Sequence, residues 1–114
     1  MLFTDALVIT GIVSHEEIAT RSSIGLFYFV PARENERMIN EAGFEIVSVE
    51  DLTSAAAHIS KRWHDARENH RDAMIKIEGD ENFNSLQQFL SCVHTLTSEC
   101  RLSRFGYQAR KATV

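Results

Sequence analysis

The 114-residue sequence predicts an α/β fold, a partial doubly wound sheet of three strands with about four helices. Three observations predict it. Residues 2–9 are apolar on both alternating faces, as in a parallel strand covered by helices on each side. Helical segments then lead to a second strand at 44–51, the strand–helix–strand order of α/β proteins. After further helices, Leu102 to Ala109 alternates, with Phe105, Tyr107 and Ala109 on one face.

The first strand, Leu2 to Ile9, is polar only at Thr4 and Asp5, and Gly11 breaks it. Ser14 and Glu17 form a capping box, whose side chains satisfy free amides at a helix start. A short helix is expected over about 15–22. Ser23 to Val30 reads either as a loop or as a continued helix lining a cavity. Pro31 suits the opening of a helix, because the first helical residue needs no amide partner. Met38, Ile39 and Ala42 give that helix its apolar side, and Gly43 closes it in the left-handed conformation that lacks a Cβ penalty.

Phe44 to Asp51 is the second strand, apolar at Phe44, Ile46, Val47 and Val49. Thr53 or Asp51 caps a helix expected to run to about Ile77, ahead of Gly79. Its apolar stripe is Ala56, Ile59, Trp63, Ala66, His70, Ala73 and Ile77. These steps of three and four predict one buried face along about 36 Å of helix. Its charges offer few good i,i+4 pairs, so tertiary packing must hold it. A further helix, from Asp80 or Asn82 to about Ser98, turns Phe83, Leu86, Leu90 and Val93 inward.

Composition narrows the function classes. A hydrophobic share of 44% and a charged share of 25% fit one globular domain spanning residues 1–114. A formal net charge of -4 weighs against a nucleic-acid partner. Cys92 and Cys100 have neither disulfide-framework nor metal-site spacing, usage that fits a reducing cytoplasm. The apolar run Leu26 to Val30 is far short of the ~20 residues that cross a bilayer, so no membrane partner is expected. Asp5 interrupts the apolar start, which has no basic lead and does not read as a secretory signal. A doubly covered strand placed first leaves one of its neighbours unaccounted for. Its open edge is expected to pair, giving a homodimer or swapped dimer through the edge of strand 2–9.

The order of these pieces resembles the C-terminal half of class I S-adenosylmethionine-dependent methyltransferases. Leu2-Phe3-Thr4-Asp5 is similar to that family's fifth strand with its terminal acid. Glu41-Ala42-Gly43-Phe44-Glu45-Ile46-Val47, followed by Glu50-Asp51-Leu52-Thr53, resembles the helix stop and sixth strand. Arg104-Phe105-Gly106-Tyr107-Gln108-Ala109-Arg110-Lys111 resembles the seventh. The long helices before it are similar to the excursion in small-molecule N-methyltransferases acting on phosphoethanolamine or sarcosine. The resemblance implies that the last strand inserts antiparallel between the other two. It also implies that S-adenosylmethionine serves the complete enzyme through earlier strands bearing a Gly-x-Gly turn. The five glycines here, at 11, 25, 43, 79 and 106, are scattered singly, so no cofactor is expected on this chain alone, nor activity.

No catalytic residue is assigned, since transfer to a positioned acceptor needs no nucleophilic side chain. Asp5, at a strand end where α/β sheets place ligands, is a candidate to orient a substrate amine or hydroxyl. His15, beside Glu16 and Glu17, is a candidate base, although acids there also suit the helix dipole. Phe27, Tyr28 and Phe29 offer aromatic faces to a cationic amine. Arg21 and Arg37 offer guanidinium to a carboxylate or phosphate. Asp5, His15, Arg21, Phe27 and Tyr28 form the candidate substrate pocket. No metal site is expected: His64 and His70 fall on different helix faces, and His58 and His94 have no partner at ligand spacing. Two other classes stay open, a stand-alone dimeric interaction module and a small non-catalytic ligand-binding α+β domain.

Overall fold

A computed structural model describes residues 1–25 and 27–112; Leu26, in the apolar run noted above, lies outside them. Four strands form one open sheet in the order β2-β1-β4-β3. β1 (Leu2–Ile9) and β3 (Phe44–Asp51) stand where the sequence places them. β4 (Leu102–Lys111) lies between them, antiparallel to both. The additional strand, β2 (Val30–Pro31), runs parallel to β1 beside Val8 and Ile9. Pro31 therefore ends an extended segment instead of opening a helix; at a sheet edge its missing amide proton costs nothing. α2 (Glu34–Glu41) starts only after Arg33, which is left-handed at φ 71°.

α1 (His15–Arg21) begins with both halves of the capping box formed. The Glu17 amide donates to Ser14 Oγ at 3.1 Å and the Ser14 amide to Glu17 Oε1 at 3.0 Å. Gly43 follows α2 at φ 90°, with open space where a Cβ would stand, so backbone conformation alone selects glycine there. At Gly11 crowding selects it. A Cβ would lie 2.9 Å from Arg101 Cα.

The single helix expected over 53–77 is two helices. α3 (Thr53–Asn69) ends and α4 (Arg71–Glu78) begins at His70. α5 (Asp80–Ser98) then returns along α3, pairing Gln87 with His64 and His94 with Ala57. The stripe expected to be buried is largely exposed: Trp63 by 63% and Ile77 by 87%, with Ala66, His70 and Ala73 open as well, while Ala56, Ile59 and Trp63 turn one side to the open-sided cavity described below. The side toward α5 is polar. Arg67 Nε donates to Gln87 Oε1 at 2.9 Å, and its two Nη atoms donate to Glu78 at 2.9 and 2.7 Å. Gln87 Nε2 donates to the His64 carbonyl at 3.1 Å and to Glu68 Oε1 at 3.0 Å. Phe83, fully buried, has the guanidinium groups of Arg67 and Arg71 at 5.0 and 4.9 Å from its ring centre. Lys61–Asp65 at i,i+4 and Glu68–Arg71 at i,i+3 do pair locally, contrary to expectation; such exposed pairs add little.

One sheet face packs on α2 through Ile39, Tyr107 and Ala109, joined by Phe3, Phe44, Ile46 and Phe105. Phe3 stacks on Tyr107 at 4.9 Å. Val8, Leu96 and Leu102 are fully buried where α5 leads into β4 beside β1. The start of β1 departs from its doubly covered pattern. Leu2 is 78% exposed, and no described residue pairs with the β2-side edge of β1 ahead of Val8. The molecule measures 59 × 25 × 23 Å, drawn out by the α3–α5 hairpin.

Candidate functional site

The end of α1, strand β1 and the α3–α5 hairpin enclose a cavity of about 200 Å³. Ala6, Ile59, Trp63, Phe89 and Leu90 give it apolar walls, and Arg21 gives it a charge. Arg21 is the last residue of α1 and only 9% exposed. Its guanidinium lies 5.2 Å from the Phe27 ring centre and 5.1 Å from that of Phe89, both within reach of the ring quadrupoles. Arg21 Nε is buried with no hydrogen-bond partner, and no carboxylate among the described residues pairs with the guanidinium. Burial lowers its pKa from the ordinary arginine value, yet arginine stays charged in proteins.

The hydroxyls of the cavity wall are already engaged. Ser60 Oγ donates to the Ala56 and Ala57 carbonyls at 2.9 Å, and Thr97 Oγ1 donates to the Val93 carbonyl at 2.7 Å. Arg104 Nη2 reaches Thr4 Oγ1 at 3.3 Å.

Asp5 faces the opposite side of β1, where α2 packs. Its Oδ1 accepts from the Leu7 amide and its Oδ2 from Asn35 Nδ2, both at 2.8 Å. Asn35 is buried and also 3.4 Å from Tyr107 Oη. Burial, the largest effect there, raises the Tyr107 pKa. The ladder between β1 and β4 is irregular from Asp5 to Val8, so this carboxylate also caps a local break in pairing.

The structure thus brings Arg21 and Phe27 together and places Asp5 behind the sheet from them. His15 and Tyr28 are exposed and do not line the cavity. Arg37 is engaged with Glu34 and Glu41 on the α2 surface. Sequence reasoning missed Phe89 and Asn35. Phe89 was legible, since it continues the helical step from Leu86 to Val93. Asn35, between two glutamates, carries no signal of burial. On the far side of the hairpin a larger cleft of about 650 Å³ holds Asp51, His58, Lys61 and His94. Among the described residues no three His, Cys, Asp or Glu side chains converge as metal ligands, and no helix is long and apolar enough to cross a membrane.

An open α/β sheet whose last strand inserts antiparallel after a helical excursion is the fold of S-adenosylmethionine-dependent methyltransferases over part of their length. The chain matches phosphoethanolamine N-methyltransferase 2 of Haemonchus contortus, solved with phosphomonomethylethanolamine and S-adenosylhomocysteine. The TM-score is 0.81 at 17% identity, over 98% of this chain and 26% of that one. It also matches a protein described as a sarcosine dimethylglycine methyltransferase, from Galdieria sulphuraria, with TM-score 0.80 at 14% identity. That match covers 98% of this chain and 41% of the other. The likeness is one of fold, and the chain spans less than half the length of either. No family model matches the chain, and no curated protein does.

The turn from β1 into α1 does not have the form of a glycine cradle for the cofactor of those enzymes. Such a cradle needs glycine backbone open to a ligand at a strand-to-helix turn. Gly11, in the turn after β1, is packed against Arg101. The helix that follows opens with Glu16 and Glu17, unfavourable to the cofactor's carboxylate.

Proposed function

We propose that this chain is the C-terminal, substrate-side portion of an S-adenosylmethionine-dependent methyltransferase acting on a small molecule, and that it is inactive alone. One observation carries the proposal: a cavity with a buried guanidinium lacking an acidic partner beside β1, in a fold shared with part of two methyltransferases. At about 30 Å³ per water the space equals a handful of waters, which suits a small metabolite. Arg21 and Phe27 belong to the acceptor side. Asp5, tied through Asn35 to α2, shapes the strand end. His15 and Tyr28 are its outer rim.

The cofactor, held elsewhere in the complete enzyme, supplies an electrophilic methyl group. This chain's residues hold the acceptor, exclude water around it and fix its approach, which together supply much of the rate. Alone in the cytoplasm, the chain covers the open edge of β1 by pairing with a second copy. The outward Trp63 also favours a dimeric interaction module as the second reading.

Calorimetry with S-adenosylhomocysteine tests the division of labour, and a chimera tests the chemistry. The chimera joins the cofactor-binding portion of the Galdieria protein to this chain. We expect no binding by the chain alone, and transfer of labelled methyl to small amines by the chimera. Micromolar cofactor affinity in the isolated chain would overturn the proposal. So would a folded, cofactor-binding chimera that methylates none of an amine panel.

A further inference from the structure

Arg21 lies inside the molecule without an acidic partner. An interior guanidinium stripped of water normally recovers the lost solvation through a carboxylate or several carbonyls. Here the aromatic rings of Phe27 and Phe89 support its flat faces, but a ring face accepts no in-plane N–H. Arg67 is the contrast within the same chain. It too lies against a phenylalanine, Phe83, and its in-plane donors are filled by Glu78 and Gln87. The aromatic support is alike in the two arginines; the oxyanion is present at one and absent at the other. Ser60 and Thr97, also on the cavity wall, spend their hydroxyl protons on helix carbonyls. Arg104, the other cation of the wall, is bonded to Thr4 at an exposed position, so Arg21 Nε is the buried donor left for a guest.

We infer that Arg21 anchors the oxyanion of a small ligand, a carboxylate or a phosphate monoester, in the cavity walled by Trp63, Ile59 and Phe89. The rest of that ligand is compact and either apolar or a cationic amine resting on the aromatic faces. This deepens the acceptor-pocket reading and rests on it only for the ligand's identity as a methyl acceptor. The binding itself needs nothing beyond this chain.

Trp63 is the one tryptophan of the sequence and stands on the cavity wall, so its emission reports occupancy directly. The chain is titrated with inorganic phosphate, acetate, sarcosine, phosphoethanolamine and tetramethylammonium. Saturable change is expected with the oxyanion probes, the carboxylate and phosphate arms showing which acid the site takes. Arg21→Met should weaken that binding about ten- to a hundredfold, the worth of charge-assisted hydrogen bonds to an arginine. Lys76→Met, which removes an exposed charge on α4 away from the cavity, should leave it intact. Far-ultraviolet circular dichroism checks each fold, and Arg21→Lys, retaining charge without the planar fork, should give intermediate affinity if Met disrupts packing. No saturable response to any oxyanion by the folded chain would overturn the inference. So would undiminished affinity in a folded Arg21→Met variant. Tetramethylammonium binding without oxyanion binding would sink the anchor and leave the acceptor-pocket reading standing. Oxyanion binding alongside a methylation-dead, cofactor-binding chimera would do the reverse.

Discussion

At the scale of single residues, the chain's charged side chains fall into two kinds. Many are tied in visible pairs, such as Glu17 with Arg101 at 2.7 Å and Glu78 with Arg67 at 2.7 Å. These hydrogen bonds to arginine hold both carboxyls below the ordinary glutamate value of 4.5. Glu68 is also lowered, first by Gln87 and then by Arg71. A folded pKa below the unfolded one gives stability that is complete above about pH 4.5 and lost as pH falls through the folded value. The urea midpoint should therefore hold between pH 7 and 5 and decline from 4.5 toward 3. Glu78→Gln should flatten that decline; an unchanged profile would show that the clasp contributes nothing. Arg21 is the other kind, a charge awaiting a partner. Its residue type was legible in the sequence, its burial was not. Nothing in Thr20-Arg21-Ser22 tells an interior arginine from a solvated one, because Phe89, its second support, comes from a helix far along the chain.

At the scale of elements, local signals served where the physics is local. The Ser14–Glu17 box satisfies amides within four residues of chain, so it could be read and is formed. Because α1 is short and ends at Arg21, its cap also holds the cavity's charge in place. Ser14→Ala should lower stability by about 1 kcal/mol, measured by urea denaturation, and should weaken any binding at Arg21 in proportion to helix loss. No change in either would mean that packing on α5 alone fixes α1. Pattern reading failed in α3 and α4. A three-and-four stripe identifies an apolar face but not the surface opposite it. Here the α5 side presents Gln87 and His94, which select the polar face of α3. The break at His70 likewise leaves no mark in periodicity, since the stripe continues through it in number while the axis changes.

At the scale of the whole molecule, the sheet and the hairpin leave apolar surface uncovered. Leu2 stands out from the first strand, and the edge ahead of Val8 has no strand beside it. Trp63 and Ile77 add exposed bulk along the hairpin. Unpaired strand edges and apolar patches both favour association. Sedimentation at micromolar concentration should show a dimer, and Leu2→Lys should shift it toward monomer. A clean monomer across the accessible range would refute pairing through this edge. The likeness to methyltransferases over 26% and 41% of two longer chains belongs to this scale as well. It concerns the arrangement of elements and survives at 17% and 14% identity because packing constrains arrangement more than residue type.

The sequence by itself determined the strands at 2–9, 44–51 and 102–109, the Ser14–Glu17 cap of α1, the stop at Gly43, and the face of β4 that meets α2. Each depends on alternation or on contacts within a few residues, which chain order encodes directly. Only the tertiary structure decided which face of α3 is buried, that Pro31 extends a strand, and that Arg21 and Phe89 share a cavity while Asp5 turns to Asn35. Those outcomes depend on what packs opposite each segment, and the packing partners lie tens of residues away.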